Sequence, residues 1–175
     1  MFTKAQAEAY FVAEKQESLL FVVIGVLAIV AAIGLWATLK TPLARGMAIP
    51  ILLIGLIQAT VGYTVYSRSD AQRKDIVYKM DLDPDAIAQQ ELPRMKKVMD
   101  NFVIYRWIEI ALLAAGLLAV VLCRQQPNRQ WWFGVGLGLA LQAAIMLAAD
   151  YFAERRGKAY YEGLQAWVKS FSAKS

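Results

Sequence analysis

The chain has 175 residues, 58% of them hydrophobic, with 19 Lys and Arg against 14 Asp and Glu and a mean hydropathy of +0.40. That is too apolar for an ordinary soluble domain and too charged to lack polar loops, which points to a single integral membrane domain over 1–175. The sequence has no His and one Cys, Cys123, which excludes a bis-His haem, a His-rich metal site, a CxxC redox pair and an intramolecular disulfide.

The pI of about 9.4 would suggest nucleic acid in a soluble protein. In this chain, membrane topology and anionic headgroups explain it first, and no nucleic-acid partner is expected. Residues 1–17 mix Lys4 and Lys15 with Glu8, Glu14 and Glu17, and the apolar run behind them is about twice a secretory h-region. The first apolar segment is therefore read as a span, with residues 1–17 continuing it as helix.

That first span, 18–39, is uncharged and carries Gly25, Ala28, Ala31, Ala32 and Gly34, with Trp36 near its far end as an interfacial anchor. A short turn, 40–46 (KTPLARG), leads to the second span, 47–66, with Pro50 expected in its first turn and a polar face of Gln58, Thr60, Tyr63 and Thr64. The helical pattern runs on to DLDPD, where Asp83 is a good N-cap and Pro84 a good first residue. Asp81, Asp83 and Asp85 alternate like part of a calcium loop, but Ala86 stands where Gly is needed, so capping is the better reading and no metal is expected.

Residues 67–101 read as a helical hairpin outside the bilayer, reset at Pro93. The third span, 102–123, leads into a second short turn, RQQPNRQ. Trp131 and Trp132 open the fourth span, 131–152, where Gly134 and Gly138 mark close helix packing. After it, Tyr160, Leu164, Trp167, Val168 and Phe171 fall on one helical face and are expected to pack on the other extensions. Fourteen of the 19 basic residues lie in the N-tail, the 67–101 hairpin and the C-tail, while each short turn holds two. The positive-inside rule then puts both termini and the hairpin in the cytoplasm of a cell inner membrane.

The two halves look alike: Glu17 and Glu109 each precede a Gly-containing span, a Pro-containing basic turn follows, and then a span with Gln58 or Gln142 before Ala. A parallel repeat of two hairpins is one reading; the general resemblance of apolar helices is the other.

At ~1.5 Å per residue from the outer end, Gln58 and Gln142 lie roughly 16 Å deep, Glu109 about 21 Å, Arg106 about 25 Å and Asp150 about 28 Å. Arg106, Glu109 and Asp150, with Tyr63 and Tyr66, form a candidate polar layer beneath the cytoplasmic face. It is either an ion path or pocket, or an internal salt bridge with Arg106 anchoring Glu109. Gln58 and Gln142 are expected to hydrogen-bond between helices. Arg94, Lys96 and Lys97 are a solvated face, a lipid contact or a partner-protein surface.

No P-loop, GxSxG, HExxH or Cys–His pair occurs. The expected fold is all-α, a polytopic four-transmembrane-helix up-down bundle with antiparallel neighbours and helical extensions into the cytoplasm. The expected function is non-enzymatic and cofactor-free: interaction within the lipid bilayer as a subunit, regulator or immunity-like factor, with a homo-oligomeric or membrane-protein partner. The alternative is a small homo-oligomeric channel or transporter built on the layer around Glu109. A lipid-modifying enzyme is a distant third.

Overall fold

Helix α1 (Lys4–Gly34) starts at a capping box: the Thr3 hydroxyl accepts from Gln6 N–H while the Gln6 side chain accepts from Thr3 N–H at 2.9 Å. No breaker interrupts it, so the polar N-terminal segment and the first apolar segment form one rod, as the sequence predicts. The structure is a computed structural model that describes residues 2–172, with side chains described to Ser170. The predicted Phe171 contact lies outside the described residues.

The rod widens into a π-turn at Leu35–Leu39 and ends at Lys40, whose φ of 49° is left-handed. Thr41 then caps α2 (Pro42–Leu82), accepting from Ala44 N–H at 3.2 Å, with Pro42 at the first helical position. The turn is therefore two residues rather than the seven expected. Pro50 sits inside the helix instead of in its first turn.

At the far end, Asp83 accepts from Ala86 N–H at 3.1 Å and starts α3 (Pro84–Ala86), confirming the capping role. A π-turn at Ile87–Glu91 then joins α4 (Leu92–Cys123). The reset expected at Pro93 is this π-turn. Leu92 N–H reaches Ile87 C=O, and the wider loop of backbone absorbs the Pro beside it without breaking the rod. A 3₁₀ turn at Pro127–Arg129 leads into α5 (Gln130–Ser172).

Four helical rods are long and apolar enough to cross a membrane: Lys4–Leu39, Pro42–Leu82, Pro84–Cys123 and Pro127–Ser170. No strand occurs among the described residues. The four pack in the order α1, α2, α5, α4, as two antiparallel hairpins placed side by side, and α4 scarcely touches α1 or α2.

The expectation of antiparallel neighbours throughout holds within each hairpin but fails at the centre, where α2 and α5 run parallel. Glycines decide that pairing. A Cβ on Gly46 would stand 2.1 Å from Trp131 C=O, and one on Gly134 would stand 2.1 Å from Leu43 C=O. Only bare backbone permits such an approach. Gly138 packs on Met47 and Pro50 in the same register.

At the end holding both termini, the four rods leave the apolar belt and close around a core of their own. Ala7, Tyr10 and Phe11 of α1 meet Ile76 and Met80 of α2, Ile87 and Met95 of the 84–101 segment, and Tyr160 and Leu164 of α5. Trp167 and Val168 pack against it, as the helical-face spacing predicts. We call this part the head. Each large aliphatic side chain it buries contributes about 1.5–3 kcal/mol. The belt itself keeps Leu, Val and Ile exposed along its outer faces, the pattern expected where lipid is the solvent.

Candidate functional site

Where the head meets the belt, three ion pairs tie neighbouring helices in turn. Lys15 of α1 pairs with Asp70 of α2, Glu17 of α1 with Arg156 of α5, and Arg106 of α4 with Glu154 of α5 at 3.1 Å. Lys15 also lies over the Tyr66 ring at 4.9 Å. The hydrogen bond from Lys15 holds the Asp70 carboxyl below its usual range, and Asp70 in turn raises Lys15. Pairs this exposed add little to stability, so their main effect is to fix helix register.

Inside this girdle, the polar layer separates. Arg106 donates to both Glu154 oxygens, at 3.2 and 3.1 Å, and not to Glu109. The anchor expected for Glu109 is therefore engaged elsewhere, because Glu154, four residues beyond Asp150 on α5, presents its carboxylate to Arg106 first. Glu109 is only 1% exposed, lies level with Asp150 one turn from the Arg106–Glu154 pair, and among the described residues has no hydrogen-bond partner on either oxygen. Tyr63 is 65% exposed on the other hairpin, pointing outward, and Tyr66 lies under Lys15. Neither tyrosine joins the layer. Of the five predicted residues, the structure unites Glu109 with Asp150 and leaves Arg106 one turn away.

The two midplane amides are buried as expected. However, both amide atoms of Gln58 and the Oε1 of Gln142 have no partner. The register of Gly138 on Pro50 continues to place Gln142 level with Ile54, a full turn short of Gln58. One turn is ~5.4 Å along the axis, so the amides miss one another. The predicted inter-helix hydrogen bond is not formed.

The basic surface divides as well. Arg94 is half-buried and forks onto Glu91, with Nε–Oε2 at 2.6 Å and Nη2–Oε1 at 2.7 Å. Burial pulls the Arg94 pKa down, but the hydrogen bonds and charge of Glu91 outweigh it and hold the guanidinium ionised. Lys96 and Lys97 remain exposed, with Lys96 paired to Asp100 at 2.7 Å.

What the sequence missed is the polar network that Arg94 belongs to. Tyr160 donates to Glu91 Oε1 at 2.9 Å. Its ring stacks on Tyr10, which donates to Glu14 Oε1 at 3.1 Å, while Ser69 donates to Glu14 Oε2 at 3.0 Å. Burial raises both tyrosine pKa values, and the neighbouring carboxylates raise them further. A Tyr and a Glu four residues apart, Tyr10 and Glu14, was the one visible signal.

Beside this network, between α1 and α5, runs an open groove of about 560 Å³ whose walls include Phe2, Ala13, Arg156 and Gly163. Among the described residues, no group of three or more metal-ligating side chains occurs. No protein-family model, curated protein or solved structure matches the chain.

Proposed function

We propose that this chain is a non-enzymatic integral inner-membrane protein that works through helix-mediated interaction, as a subunit, regulator or immunity-like factor. Its termini and the 67–101 hairpin would lie in the cytoplasm. The observation that carries this reading is the head, where four helices leave the belt and build a second hydrophobic core with a saturated Glu91–Arg94–Tyr160 network. A simple bilayer anchor needs no such structure. The exposed pair Lys96 and Lys97 gives that head a basic face suited to an acidic partner surface.

Photo-crosslinking in native membranes tests it. A crosslinker at Lys97 should give a discrete protein adduct that charge reversal at Lys96 weakens, and one at lipid-facing Leu118 should not. Adducts no stronger at Lys97 than at Leu118 sink the reading. Orientation is checked separately in a Cys123→Ser background with single cysteines at Gln125 and Lys97. Labelling of Lys97→Cys from outside the cell overturns the cytoplasmic placement.

A second reading, a small homo-oligomeric channel or transporter, is favoured by one observation: the Glu109 carboxyl is buried without a hydrogen-bond donor. Against a path within one chain stands the backbone contact of α2 with α5 at Gly46, Gly134 and Gly138. Ion flux in liposomes that Glu109→Gln removes would establish it; liposomes as tight as protein-free controls would discard it.

A further inference from the structure

We propose that the carboxyls of Glu109 and Asp150 hold a monovalent cation, a proton or an alkali ion, between α4 and α5. On the antiparallel α4–α5 pair, Glu109 and Asp150 lie one turn on from Arg106 and Glu154, which meet across the same crossing, so the two carboxyls share one level of it. The independent observation is the state of Glu109 itself: it is 1% exposed, and among the described residues neither oxygen has a donor from any side chain or backbone group. A buried carboxylate in that position is sustained only if a positive species lies against it.

The chain does not supply one. Arg106, the one basic residue in the third span, spends its guanidinium on both Glu154 oxygens. Nearer the head, Arg156 of α5 pairs with Glu17 of α1, and Lys15 of α1 with Asp70 of α2. The charged groups one turn from the two carboxyls are Arg106 and Glu154, which pair with each other. Among the described residues, the remaining two carboxyls have no paired counter-charge. A proton shared across the gap, or an alkali ion bound by the four carboxylate oxygens, satisfies both at once.

The transport reading requires such a site, but the site does not require transport: a cation held here can simply fix α4 on α5. Binding is accordingly measured apart from flux. Thermal unfolding of the full chain in detergent is followed at pH 5–9, in sodium chloride and in choline chloride, for the natural protein, Glu109→Gln and Asp150→Asn.

A bound proton gives a Tm that rises as pH falls, alike in both salts. A bound alkali ion gives a higher Tm in sodium than in choline at fixed pH. Either shift should reach roughly 3–5 °C per tenfold change in the bound cation under saturating conditions. It should be absent in Glu109→Gln, where an amide N–H takes the place of the cation, and Asp150→Asn serves as the reciprocal variant. The proposal is overturned if the natural protein responds to neither variable, or if both variants respond as it does.

Discussion

Tyr10 and Tyr160, near opposite ends of the chain, stack ring on ring with centroids 4.0 Å apart and planes 11° from parallel. Each hydroxyl then leaves the stack toward its own carboxylate, Glu14 for Tyr10 and Glu91 for Tyr160. The contact closes α1 onto α5 in the head, where the belt has those helices separated by α2.

Replacing either ring should therefore open the head. Tyr160→Ala should cost about 3–5 kcal/mol from the lost ring and its cavity. Tyr160→Phe, which removes only the hydroxyl, should cost about 1 kcal/mol, because Arg94 still satisfies Glu91. Thermal unfolding followed by circular dichroism separates the two; equal losses would mean the hydroxyl, not the ring, holds the closure.

The same pair sets an alkaline limit. Both tyrosines have pKa values raised above 10.0 in the folded chain, so the folded state resists a deprotonation that the unfolded chain undergoes. Their contribution is complete below pH 10 and is lost as pH rises from there toward the folded pKa values. Stability should fall steeply above pH 10, and the double variant Tyr10→Phe/Tyr160→Phe should flatten that fall.

Arg94 and Lys97 lie three residues apart and should behave oppositely. Arg94→Ala strands Glu91, which is buried, and should cost about 2–4 kcal/mol after allowing for the part-exposure of the guanidinium. Lys97→Ala should stay within about 0.5 kcal/mol. Equilibrium unfolding midpoints would show whether the basic run is one surface or, as the structure has it, one structural arginine beside exposed lysines.

Close packing within each hairpin follows one local geometry. A Cβ at Gly25 would meet Ala59 N at 2.6 Å and Gly55 C=O at 2.8 Å; at Gly116 it would meet Ala140 N at 2.7 Å and Gly136 C=O at 2.9 Å. Gly25→Leu and Gly116→Leu should each destabilise by about 1–3 kcal/mol or more through overpacking. Gly34→Leu, with nothing within 4 Å of its Cβ position, should cost nothing. Similar penalties at all three would show that the backbones are not in contact at Gly25 and Gly116.

Gln58 carries an amide with no partner at full burial. Gln58→Leu should be neutral or stabilising by about 1–2 kcal/mol. A marked loss of stability would reveal a hydrogen-bond partner that the protein itself does not provide.

The hairpins also show how far repetition in the sequence carries. The Gly25–Gly55 and Gly116–Gly136 crossings share their contact geometry, yet the chain between the two glycines is longer in the first pair than in the second. Gln58 falls three residues after Gly55, and Gln142 six after Gly136. The matched residues are thus not structural equivalents.

By itself, the sequence determined the number of rods and the approximate extent of each. Long uncharged runs, the Asp83 cap and Pro84 behind it act through the backbone within a few residues, so they are legible without a fold. It likewise exposed Glu109, since any ionisable residue in a span stands out against its neighbours, but not the buried Glu14 and Glu91 of the head. Partnership was decided only in three dimensions. Whether Arg106 serves Glu109 or Glu154, and whether Arg94 is surface or core, depends on which helix lies opposite and in what register. The placement of α2 beside α5 is set by backbone contacts at Gly46 and Gly134 that no local pattern encodes. The fold left Glu109 facing a carboxylate because helix packing fixes a side chain's neighbour before electrostatics can choose one.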